Sequence, residues 1–182
     1  MVYRFKIVSD EVENFCREIE IDSESSFLAL RNAILDSVKY TKDEMNSFFL
    51  CDDEWQKHEE ITLEDMGLSS SDKDLWIMEE TPIENLVEEE GQRLIFVFDY
   101  ITERSFFMEL KEIITGKTLK DPLCIRKEGK APAQHVDLDE FDAEIDKKAA
   151  AILTEDMDID FYGDSEFNEE ELPEGLDDFS IN

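Results

Sequence analysis

The period of the apolar residues changes once within the first 38 positions, and that change constrains the fold more than any other feature. In VYRFKIV (2–8), Tyr3, Phe5 and Ile7 alternate with Val2, Arg4, Lys6 and Val8. This is the period of a strand with one mainly apolar face. SDEVEN (9–14) is polar and suits a turn. In FCREIEI (15–21), Phe15, Ile19 and Ile21 share a parity, with Arg17 between them and Glu18 and Glu20 opposite, so the two segments read as a β-hairpin. The next residues, DSESSFLALRNAILDSVKY, switch period. Phe27, Leu30, Ile34 and Val38 recur at spacings of three and four, with Leu28 and Leu35 beside them. That is an amphipathic helix. Ser23, Ser25 or Ser26 is placed to cap it, and Glu24 lies at its positive end. Strand, strand and helix in this order predict an α+β fold, with a mixed or antiparallel sheet and the helix packed on it.

Downstream, SFFLC (47–51) reads as a strand, ITLEDMGL (61–68) as a short helix stopped by Gly67, LWIM (75–78) as a strand and ENLVEEEG (84–91) as a short helix or loop. RLIFVFDY (93–100) and SFFMELKEIIT (105–115) are two longer strands joined by ITER. The first is apolar at nearly every position, which predicts cover on both faces. Residues 117–136 hold two of the four prolines, show little periodicity, and read as an ordered loop. Leu138, Phe141, Ile145, Ala149 and Ile152 mark an amphipathic helix over 137–153, with Lys147 and Lys148 toward its C-terminal half, where the helix dipole favours cations.

Charge then divides the chain. Acids outnumber bases 49 to 18, a net of −31. Residues 137–182 hold 18 acids and 2 lysines, so this quarter carries −16 and the first 136 residues carry −15. Mutual repulsion predicts a weakly ordered acidic tail over 154–182. Apolar residues are spaced through it, and Phe161, Tyr162, Phe167, Leu172 and Phe179 are the candidate partner-binding residues. So acidic a chain is repelled by nucleic acid and by anionic lipid. The expected partner is a protein, one with a basic surface being easiest to defend, with no direct nucleic acid and no membrane. No apolar run approaches the roughly 18 residues of a membrane span. Cys16, Cys51 and Cys124 are odd in number and widely spaced, which argues against a disulfide framework. The compartment expected is the cytoplasm.

The residues with chemistry to offer are few. Asp156, Asp158 and Asp160 begin like a calcium loop, but Phe161 and Phe167 stand where its glycine and bidentate glutamate belong. They are a weak metal candidate beside the simpler reading of a solvated tail. The two histidines, His58 and His135, have no nucleophile or catalytic motif near them in sequence. Six glycines leave little material for a phosphate-cradling loop, and no cofactor is expected. The pairs Phe48–Phe49, Phe96–Phe98 and Phe106–Phe107 are interleaved with acids and aliphatics rather than bases, so they read as core and not as a stacking platform for bases.

Several of these residues also form a recognisable series. Arg17, Ile19 and Ile21, then Phe27, Leu30 and Ile34, then Tyr40 and Phe49, resemble successive motifs of the plasmid pRiA4b ORF-3-like family. FDYITERSFFMEL (98–110) stands where that family has Y-D-F-G-D and W-x-H, keeping Asp99 and Tyr100 but not the Gly-Asp or the His. DPLCIRKEGKAP resembles its Pro–Gly–Pro motif through Pro122, Gly129 and Pro132, with Ala133 and Gln134 where acids often follow. The resemblance covers residues 1–136, with an insertion near 55–90, and implies a mixed sheet packed by a helix with a β-grasp-like opening. It implies no established activity, and an association with plasmids and mobile elements.

Three functions compete. The leading one is a non-enzymatic protein-interaction or regulatory module. The second is an acidic nucleic-acid mimic that binds a basic protein. The third is an unusual enzyme with a degenerate site, for which Asp99, Tyr100 and His135 are the residues to watch.

Overall fold

Alternation and capping shape the N-terminal elements as their side chains dictate. In the computed structural model, which describes residues 1–65, 67, 75–137 and 142–149, β1 (Val2–Ser9) and β2 (Cys16–Asp22) form an antiparallel hairpin. Helix α1 (Phe27–Val38) follows, with the Ser26 hydroxyl accepting from the Ala29 amide. Further unpaired amides of its first turn are met by backbone carbonyls from the middle of the chain, Phe27 by Thr81 and Leu28 by Met78. At the other end Lys39 takes a left-handed conformation, and its amide meets the Asp36 and Leu35 carbonyls.

Six more strands complete the sheet: β3 (Ser47–Cys51), β4 (Lys57–Thr62), β5 (Trp76–Ile77), β6 (Arg93–Asp99), β7 (Arg104–Ile114) and β8 (Leu123–Glu128). A 3-10 turn, Ile83–Asn85, precedes β6. The order across the sheet is β5-β4-β3-β6-β7-β1-β2-β8. Every neighbouring pair is antiparallel except β4 and β5, so the sheet is mixed and the fold is α+β. The hairpin followed by a helix packed on the sheet gives the β-grasp-like opening.

Two segments depart from the expectations. Ile61 and Thr62 are the end of strand β4, not the start of a helix, and Gly67 makes a left-handed bend beyond it. Four of the six β4 side chains are exposed, so no apolar alternation marks the strand. Residues 117–136 are not loop throughout, because β8 pairs with β2 along 123–128. That strand lies at the sheet margin with five of its six residues exposed, and so carries no core-facing pattern.

The core lies between α1 and one face of the sheet. Phe5, Phe27, Phe48, Phe96, Phe98 and Phe106 are all buried there, with Ile7, Ile19, Leu30, Ile34 and Leu35. Each such side chain contributes on the order of 2 kcal/mol by leaving water. The rings form chains of contact: Phe48 to Phe96 at 4.8 Å, Phe98 to Phe106 at 4.6 Å and Phe15 to Phe106 at 5.2 Å between centroids. Phe48, Phe96, Phe98 and Phe106 are therefore core, as their aliphatic and acidic neighbours suggested.

Strand β6 is covered on its second face as well. Ile95 and Val97 pack there with Cys51, Phe49, Trp55 and Phe107. Lys57 stands 4.6 Å over the Phe49 ring and Arg93 stands 5.0 Å over Trp55, so cations roof this smaller cluster.

The chain divides into two compact units, Met1–Val136 and Asp137–Asn182. In the second, residues 142–149 form helix α2, exposed along its whole length. Ile145 and Ala149 lie on it. Leu138, Phe141 and Ile152 of the expected 137–153 helix fall outside the described residues.

Candidate functional site

Asp99, Tyr100 and His135 do not converge. Asp99 ends β6, and its carboxylate accepts from the Ile101 amide at 3.0 Å and the Thr102 hydroxyl at 2.7 Å. It shapes the turn into β7, with the Arg104 guanidinium 3.9 Å away. Tyr100 turns elsewhere. Its hydroxyl meets the Ser47 hydroxyl and donates to the Glu60 carboxylate at 3.0 Å. Burial, with Glu60 beside it, pushes the Tyr100 phenol up. His135 is mostly exposed, with Nε2 3.9 Å from Glu44. Each side chain serves its own neighbourhood, and no hydrogen bond or ion pair among the described residues joins the three. His58 likewise faces Asp52, at 3.4 Å, from strand β4.

Asp156, Asp158, Asp160, Phe161, Tyr162, Phe167, Leu172 and Phe179 lie outside the described residues. Among the described residues no group of three or more His, Cys, Asp or Glu is placed to hold a metal ion. No described helix is long and apolar enough to cross a membrane.

Arg17, known from sequence only as a charge on an apolar parity, is a buried hub of backbone contacts. It is 6% exposed and meets no carboxylate among the described residues. Instead it donates to four backbone carbonyls: Cys16 at 2.8 Å, Glu128 at 2.7 Å, Gly129 at 3.2 Å and Ser37 at 3.3 Å. The Ser37 carbonyl belongs to the last turn of α1, whose partial negative charge a cation favours. One guanidinium thus ties β2, the helix end and the end of β8 together. Gly129 fits the same junction for a steric reason. A Cβ there would stand 2.6 Å from the Asn14 carbonyl oxygen, and its φ of +68° suits glycine.

The face of β2 away from the core carries an ion-pair ladder. Glu18 accepts from Lys111 at 2.8 Å and Arg126 at 3.2 Å. Glu20 accepts from Lys117 at 2.6 Å and Arg4 at 2.7 Å, and Arg4 reaches on to Glu112. The hydrogen bonds from Lys111 and Lys117 hold the two carboxyls below the usual carboxylate range. Here two buried acids of the first unit, Glu18 and Glu20, are neutralised by its own bases.

One concavity lies on the helix side of this margin. A groove of about 410 Å³ runs between α1 and β8. Ala29, Ala33 and Ser37 form its helical wall, and Pro122, Cys124 and Lys127 the opposite one. Its walls are about ninety residues apart in sequence and separately unremarkable, so no local signal marks it.

A family model described as plasmid pRiA4b ORF-3-like protein matches residues 1–157. No curated protein matches the chain. Among solved structures, a protein of unknown function from Methanosarcina mazei Go1 is similar. Its TM-score is 0.53 at 15% identity, over 69% of this chain and 68% of the other. Likeness at that identity speaks for the fold alone.

Proposed function

The chain belongs to the plasmid pRiA4b ORF-3-like protein family, and on that premise we propose that it is a non-enzymatic protein-interaction or regulatory module, acting in the cytoplasm in the setting of plasmids or mobile elements. Its acidic C-terminal sequence engages a basic protein surface, and Phe161, Tyr162, Phe167, Leu172 and Phe179 supply the apolar contacts. The division of charge carries this reading. The buried acids of the first unit, Glu18 and Glu20, are satisfied by Lys111, Arg126, Lys117 and Arg4. Beyond residue 136, 18 acids face two lysines. Uncompensated charge with aromatics spaced through it gives long-range attraction to a basic partner and short-range apolar contact once there.

Affinity capture on the full-length chain tests this. Replacing Phe161, Tyr162 and Phe167 by serine lowers recovery of a basic protein about tenfold, and raising salt from about 0.05 to 0.3 M weakens capture steeply. Recovery that survives the serines but is competed by double-stranded DNA means nucleic-acid mimicry instead. Recovery insensitive to both changes overturns the proposal.

A further inference from the structure

We propose a second docking site, independent of the acidic C-terminal sequence: the free edge of β8 and the groove beside it accept an extended, acidic segment of a partner protein, added as a ninth strand. Strand β8 closes one end of the sheet order, so one of its edges has no strand beside it among the described residues. Such an edge presents unpaired amides and carbonyls, which an extended peptide satisfies.

The strand is blunted only in part. Pro122 precedes it, Gly129 follows it, and its register with β2 shifts once, at Ile125, leaving 123–124 and 126–128 as regularly paired runs. Leu123 and Ile125 on it are 52% and 42% exposed, an apolar surface for side chains of an added strand. The groove takes others, against Ala29, Ala33, Pro122 and Cys124.

Charge selects the occupant. Residues 117–130 hold five of the chain's 18 bases and two of its 49 acids. Lys117 and Arg126 are engaged with Glu20 and Glu18. Lys120, Lys127 and Lys130 have no acidic partner within ion-pair distance among the described residues, and Lys127 lines the groove. Asp36 and Asp121 also line it, and Asp36 is paired with Lys42 at 2.8 Å. The net charge of −31 does not forbid an acidic guest here. At physiological salt, potentials decay over about 8 Å, so a guest meets the local balance of 117–130, three bases in excess, rather than the total.

The test uses the full-length chain and a capped twelve-residue peptide alternating Asp and Val, with a Lys–Val peptide as control. Amide hydrogen exchange is the readout, because strand addition protects β8 backbone whereas loose adhesion does not. The Asp–Val peptide slows exchange at 123–128 at least tenfold, and the Lys–Val peptide leaves those amides unchanged. Lys127→Glu, an exposed change, weakens Asp–Val binding at least fivefold. Alkylating Cys124 with a maleimide on the folded protein abolishes the protection, Cys16 and Cys51 being buried.

Four results each overturn the proposal. They are binding without β8 protection, equal protection by the Lys–Val peptide, protection already complete without peptide at every dilution (an intramolecular occupant), and protection that rises with chain concentration alongside dimer formation (a second copy). None of them bears on capture through Phe161, Tyr162 and Phe167.

Discussion

Single residues decide this fold where three segments meet. Gly129 sits against the Asn14 carbonyl, and Arg17 clamps the same junction through the Cys16, Glu128, Gly129 and Ser37 carbonyls. Gly129→Ala must push Asn14 aside as well as strain a φ of +68°. A loss of about 2–3 kcal/mol follows. Gly116→Ala is the control, because Gly116 has a similar φ of +73° but open space around it. It costs only about 1 kcal/mol. Urea denaturation of both variants separates the terms, and equal losses would refute the close-contact argument. Arg17 was visible in the sequence as a charge at an apolar parity. Its four acceptors were not, because they come from β2, the end of α1 and the end of β8.

At the scale of elements, the strands whose side chains alternate between water and core were legible, and the marginal ones were not. β1, β2, α1, β3, β6 and β7 each present an apolar face to the core. β4 and β8 lie near the two ends of the sheet, are mostly exposed, and are held by backbone pairing rather than by burial. The ion-pair ladder that joins β1, β2, β7 and β8 has its own pH signature. Glu20 titrates lower in the folded chain than the unfolded value of about 4.3. Its contribution is therefore present above that value and lost as pH falls through the folded one. Glu20→Gln lowers stability by about 1–2 kcal/mol at pH 7, and the gap between the two proteins narrows as pH falls below about 4.3. Denaturation curves at pH 7 and pH 3.5 check this, and a gap independent of pH would exclude the ladder as its source.

For the whole molecule the governing quantity is a net charge of −31. Self-repulsion at this charge opposes the compact state. Salt screens it over a Debye length that shrinks from about 30 Å at 0.01 M to about 8 Å at 0.15 M. The melting temperature accordingly rises with sodium chloride over this range, even though salt also weakens exposed pairs such as Lys42–Asp36. A melting temperature that falls across the same range would show that the ion pairs outweigh the repulsion.

The sequence by itself determined the class of the fold, its opening order and its core, because burial imposes a period of two on strands and of 3.6 on the helix. It also determined the uneven charge, which is additive and needs no coordinates. Only the tertiary structure decided that Asp99, Tyr100 and His135 go to separate neighbours. The same holds for Arg17 feeding four carbonyls and for α1 and β8 enclosing a groove. Each of these depends on distances between residues remote in the chain, and such distances are set by strand order and register, which leave no periodic mark on the residues they bring together.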